Sequence, residues 1–118
     1  MSLAKIRYLQ KVLANKYGVK GKAAGIYVEA GYRVNIDFPT KKGIVHIYAI
    51  KGSDRVVAEV LWESKKIGTD TVESLAEKAK ILNARPVLII YGEGPILTEE
   101  AKSKAEELGI LIKRIRRT

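Results

Sequence analysis

Between Tyr32 and Trp62 three segments repeat the period of a β-strand, separated only by short turn phrases. In YRVNIDF, Tyr32, Val34, Ile36 and Phe38 alternate with Arg33, Asn35 and Asp37, which predicts a strand with one buried and one wet face. PTKKG leads into GIVHIYAI, residues 43–50, and KGSD leads into RVVAEVLW. Connections this short join antiparallel neighbours, so the segment reads as a three-strand meander.

Helix and strand alternate after it. Asp70 and Glu73 make a capping-box pattern that opens a helix with the stripe Val72, Leu75, Ala76, Ala79 and Leu82, running to about Asn83. PVLIIY, 86–91, is uniformly apolar and reads as a strand covered on both faces. Thr98 before Glu99 and Glu100 caps a last helix, Gly109 stops it, and ILIKRIRR is a final strand with a basic end. Ahead of the meander, Leu3, Ile6, Leu9, Leu13 and Tyr17 form the stripe of one helix ending at Gly18, and a shorter helix covers about 22–30. The order α, α, β, β, β, α, β, α, β predicts an α/β fold: a mixed sheet of about five strands flanked by helices. One domain is expected over 1–118, with 1–18 as an additional N-terminal helix.

Composition narrows the function classes. Without cysteine and with one histidine, a disulfide framework, a thiolate metal site and an ordinary zinc cluster are excluded. PVLIIY is far short of the roughly 20 apolar residues that span a membrane, and the reading is an intracellular, cytoplasmic protein with no membrane partner. One glutamine, one methionine and 30% charged residues fit a chain kept stable at high temperature. The net charge of +9 is uneven. Residues 1–62 carry 11 Lys/Arg against 4 acids, 63–107 carry 7 against 9, and 108–118 carry 4 against none. Such a field favours polyanions, with nucleic acid first and anionic membrane second; the partner expected is nucleic acid, DNA ahead of RNA. No Gly-x-Ser-x-Gly elbow or phosphate loop occurs, and YGEGP reads as a strand-exit turn. Trp62, where the third strand ends, is a candidate stacking platform or dimer contact.

In VVAEVLWESKK, Glu59 stands inside an apolar run. A carboxylate there must be partnered, exposed, neutral or kept for chemistry, because desolvating it unpaired costs several kcal/mol. With this glutamate in the third strand, the phrases KGKAAGIYVEAGYRV, GIVHIYAIKG, AEVLWESKK and PVLIIYGEGPILTEEAKSKAEELGILI resemble the PD-(D/E)xK nuclease superfamily. That superfamily has the restriction-endonuclease-like fold and includes archaeal Holliday junction resolvases. The resemblance covers nearly all of residues 20–115.

It implies a metal-dependent nuclease core in which an aspartate and the glutamate of Glu-x-Lys hold magnesium, the lysine acts on water, and a glutamate often comes from the opening helix. Here those positions read His46, Glu59, Leu61 and Gly25, so Glu59 alone remains as the metal candidate. His46 then reads as a polar partner of Glu59. Repairs would draw on Lys65 or Lys66, Glu29 and Asp37. The leading expectation is a nuclease-fold domain without catalysis that binds nucleic acid irrespective of sequence, or serves as the non-catalytic partner of an active homologue. Lys20, Lys22, Lys41, Lys42, Lys65 and Lys66 would meet phosphates, with Arg114, Arg116 and Arg117 extending that surface or forming another. Two alternatives stay open: an active magnesium-dependent endonuclease with migrated residues, cleaving DNA or resolving junctions, and a structural or interaction domain, for instance a homodimer.

Overall fold

A computed structural model of the chain describes residues 2–116. The helices are α1 (Leu3–Tyr17), α2 (Val19–Glu29), α3 (Thr69–Ile81) and α4 (Glu99–Glu107). The strands are β1 (Arg33–Thr40), β2 (Gly43–Lys51), β3 (Asp54–Leu61), β4 (Lys65–Ile67), β5 (Arg85–Tyr91), β6 (Pro95–Leu97) and β7 (Leu111–Ile115). The main sheet has the order β1-β2-β3-β5-β7, antiparallel through the meander and parallel from β3 to β5 to β7. β5 lies between β3 and β7 and is buried from Val87 to Tyr91, as its unbroken apolar run requires. The mixed five-strand sheet between helices is therefore the expected architecture. No helix among the described residues is long and apolar enough to cross a membrane.

Two cores flank the sheet. On one face Val57, Leu88 and Ile90 meet Val72, Leu75 and Ala79 of α3 and Ala101 and Ala105 of α4. On the other, Ile47, Val56, Ala58 and Ile89 meet Ala23, Ala24 and Tyr27 of α2. α1 buries no residue completely and rides on α2. A Cβ at Gly21 would lie 1.8 Å from the Leu13 carbonyl oxygen, so the absence of a side chain there is what lets the helices touch.

Local expectations needed correction at four places. α2 begins at Val19 rather than at residue 22, because one residue, Gly18 at φ 61° and ψ −130°, turns the chain between the helices. The cap of α3 is Gly68, with no side-chain cap bond, so the Asp70/Glu73 capping box does not form. The same helix stops at Ile81 instead of Asn83. Asn83 takes a left-handed conformation (φ 51°), and the Ala84 N–H closes onto the Ala79 carbonyl at 2.9 Å.

The fourth correction concerns the strand alternation. Val34 and Ile36 pack on the α2 side but Phe38 on the α3 side, and in β2 Ile47 and Val45 divide the same way. Asp37, at φ 56°, is the hinge in β1, a left-handed conformation that aspartate tolerates better than most residues. The tip of the β1–β2 hairpin thereby swings over α3, where Phe38 meets Tyr48 at 4.9 Å between ring centres. A second sheet, in which β4 pairs in parallel with β6, was not legible from the sequence.

Candidate functional site

The face switch in β2 is also where the meander forks. The β2–β3 ladder runs from Lys51 opposite Asp54 to Ile47 opposite Ala58 and then stops. Two amides that would have continued it find side chains instead, as buried donors must. The His46 N–H donates to Glu59 Oε1 at 3.3 Å, and the Val60 N–H donates to His46 Nδ1 at 3.0 Å. Glu59 lies between Val57 and Leu61, both on the α3 face, and α3 answers it with Lys78. The Lys78 Nζ lies 3.8 Å from Glu59 Oε1 and donates to the Ile44 carbonyl at 2.9 Å. The two side chains are 12% and 13% exposed, so each is the other's main compensation for lost water.

His46 Nδ1 also comes within 3.5 Å of Glu59 Oε2, but this approach is not an ion pair at neutral pH. Nδ1 already accepts the Val60 N–H, which assigns the proton to Nε2. Burial lowers the imidazole pKa most; Glu59 raises it, and Lys20 and Lys78 lower it further. A neutral imidazole in the fold means that acid favours the unfolded chain, where histidine titrates near 6.5. The stability His46 confers is complete above that value and is lost as pH falls through the lowered folded value. Urea unfolding should therefore show stability dropping in the native chain as pH falls below about 6.5. That component should be missing from His46→Gln, whose amide oxygen can still accept from Val60; identical pH profiles would contradict it.

Glu59, Asp70, Thr71, Ser74 and Lys78 line an open cleft of about 270 Å³. Asp70, Ser74 and Lys78 recur at every fourth position, a polar row beside the α3 stripe. That row was the sequence signal for Lys78, and reading Asp70 as a cap obscured it. The other expected repairs lie elsewhere. Glu29 ends α2, receives the Gln10 amide at 3.3 Å and stands nine residues from Lys20, about 13 Å along the helix axis. Asp37 is exposed and binds Lys20 at 2.8 Å. Lys65 and Lys66 are exposed on β4, and neither lines the cleft.

At the positions matching the family's motif, the donors do not fit magnesium, which wants several oxygens in octahedral order. Leu61 packs into the α3-side core. Gly25 faces α1, with Gln10 Cγ 3.1 Å from where its Cβ would be. Glu59 Oε1 is engaged by Lys78 and the His46 amide, and the His46 Nδ1 lone pair is used by Val60. Among the described residues no three His, Asp or Glu side chains gather as metal ligands.

The carboxyl ends of β3, β5 and β7 share one end of the sheet with the β1–β2 turn, by the pairing directions. The expected basic residues divide there. Lys20 is bound to Asp37, and Lys42 sits 3.7 Å from Glu77 of α3. Lys22 lies 5.6 Å from the centre of the Tyr91 ring. Lys41, Lys65 and Lys66 are exposed and make no ion pair among the described residues. Arg114 donates to the Gly92 carbonyl, and with Arg116 it lines an open cavity of about 660 Å³. Arg117 lies outside the described residues. Trp62 is half-buried against the α2-side core, its ring 5.8 Å from that of His46.

No protein-family profile and no curated protein sequence matches the chain. Solved structures do. A repair endonuclease from Pyrococcus abyssi superposes with a TM-score of 0.62 at 20% identity, over 95% of this chain and 47% of that one. EndoMS in a complex with double-stranded DNA gives 0.61 at 19%, over 82% and 44%. SfsA of Pyrococcus furiosus in complex with Ca²⁺ gives 0.60 at 13%, over 83% and 56%. The chain spans about half the length of these proteins. At such identities the likeness is one of fold: the α/β sheet built around Glu59 has the architecture of repair endonucleases, in keeping with the restriction-endonuclease-like fold expected from the sequence.

Proposed function

We propose that this chain is a nucleic-acid-binding domain of nuclease fold that does not cleave, takes DNA in preference to RNA, and holds it irrespective of sequence. One protein that shares its fold is named as a repair endonuclease, and another, EndoMS, is seen in a complex with double-stranded DNA. The observation that carries the reading is the division of charge. Glu59 is held within the fold through Oε1 by Lys78 and the His46 amide, whereas Lys41, Lys65 and Lys66 make no ion pair among the described residues and face solvent. Ammonium groups so placed neutralise phosphates and release counterions without reading bases.

The test is retention of duplex DNA over a salt series. Affinity should fall steeply with salt, and Lys41→Gln, Lys65→Gln and Lys66→Gln combined should make the logarithmic slope shallower by about 3. An unchanged slope rejects these contacts, and failure to retain any nucleic acid at low salt rejects the function in favour of an interaction domain.

A second reading, an active endonuclease, gains one observation. The lysine missing at position 61 has a counterpart in Lys78, 3.8 Å from Glu59 and in one cleft with Asp70. It predicts cleavage with magnesium or manganese that disappears in Glu59→Ala; intact DNA across both metals rejects it.

A further inference from the structure

β7 is an edge strand with usable main chain on its open side. The Gly92 N–H donates to the Ile115 carbonyl at 2.9 Å. In a parallel ladder each residue turns its N–H and C=O to the same side and its neighbours turn theirs to the other. Leu111, Lys113 and Ile115 therefore face β5, and Ile112 and Arg114 direct theirs away from the sheet. The edge is also apolar. Leu111 is 50% exposed, Ile112 39%, and Ile26 of the neighbouring α2 45%. Ile26, Tyr27, Ile89, Lys113, Arg114 and Ile115 line a groove of about 270 Å³ along it.

Charge selects the occupant. Residues 108–118 carry four cations and no acid. Two copies pairing through β7 would set Lys113, Arg114 and Arg116 against one another, and like charges facing across a ladder oppose pairing. Nucleic acid would satisfy the cations but leave Leu111, Ile112, Ile26 and the outward main chain without complement. An extended polypeptide of alternating apolar and acidic residues answers all three features at once.

We propose that β7 accepts such a segment of a partner protein as an added sixth strand of the sheet. The basic side chains admit the acidic partner and exclude a second copy. This surface is separate from Lys41, Lys65 and Lys66, and it stands or falls independently of DNA binding.

The test is hydrogen exchange of the whole chain with a synthetic peptide alternating valine and glutamate. The peptide should protect the Ile112 and Arg114 amides, and its valine–lysine counterpart should not. Ile112→Pro removes one outward N–H that the fold does not use, and should weaken peptide binding about tenfold. Lys113→Glu with Arg114→Glu should reverse the preference between the peptides. Protection by duplex DNA with none by peptide overturns the proposal. Equal binding of both peptides, or concentration-dependent protection of β7 in the protein alone, overturns it as well. The exchange measurement on the native chain decides the matter even if a variant fails to fold.

Discussion

Gly21→Ala is expected to destabilise the fold by about 3 kcal/mol or more. The added Cβ would sit 1.8 Å from the Leu13 carbonyl oxygen and 2.4 Å from its carbon. Both atoms are backbone, so no rotamer change relieves the clash and α1 must move as a body. Moving it would withdraw Leu13 from the α2-side core and break the Gln10 bond to the Gly25 carbonyl. Gly25→Ala is the control on the same helix face. Its Cβ would meet only the Gln10 side chain, at 3.1 Å. A small packing cost is there offset by about 1 kcal/mol of helix preference for alanine over glycine. Urea unfolding of the two variants should separate them clearly, and equal stabilities would show that the helices do not touch at Gly21.

Lys78→Met is expected to cost about 3 kcal/mol, because it strands a largely desolvated carboxylate and removes the donor to the Ile44 carbonyl. The alkyl stem is kept, so lost packing is a small part of the effect. Adding Glu59→Gln should restore much of the loss, since the amide needs no counter-charge and can still accept the His46 N–H. A double-mutant cycle should return a coupling of about 1 to 2 kcal/mol. Additive effects would mean that Lys78 and Glu59 do not depend on each other, and would release Lys78 for a chemical role.

These two sites differ in how far the sequence announces them. Glu59 is conspicuous as a charge in an apolar strand, and the need for a partner follows from elementary solvation. Its partner is not conspicuous: Lys78 is one lysine among many, 19 residues away, and only the polar row Asp70, Ser74, Lys78 hints at it. His46 shows the same limit. The sequence places it beside Glu59, yet the main fastening of the strands uses the His46 amide and the Val60 amide rather than a bond between the two side chains. The exchange of ladder bonds for side-chain bonds occurs because the hairpin changes face at Asp37 and His46, which no period-two pattern can express.

The sequence by itself determined the meander, the two crossovers, the buried β5 and the Thr98 cap of α4. Each rests on spacing within one segment or on a cap a few residues from the group it satisfies. The tertiary structure alone decided the closeness of α1 to α2 at Gly21, the swing of the hairpin tip over α3 and the pairing of Glu59 with Lys78. It also decided the open edge of β7. Those features depend on distances between segments far apart in the chain, and a residue's charge or size reveals its need for a neighbour without saying which neighbour the fold will bring.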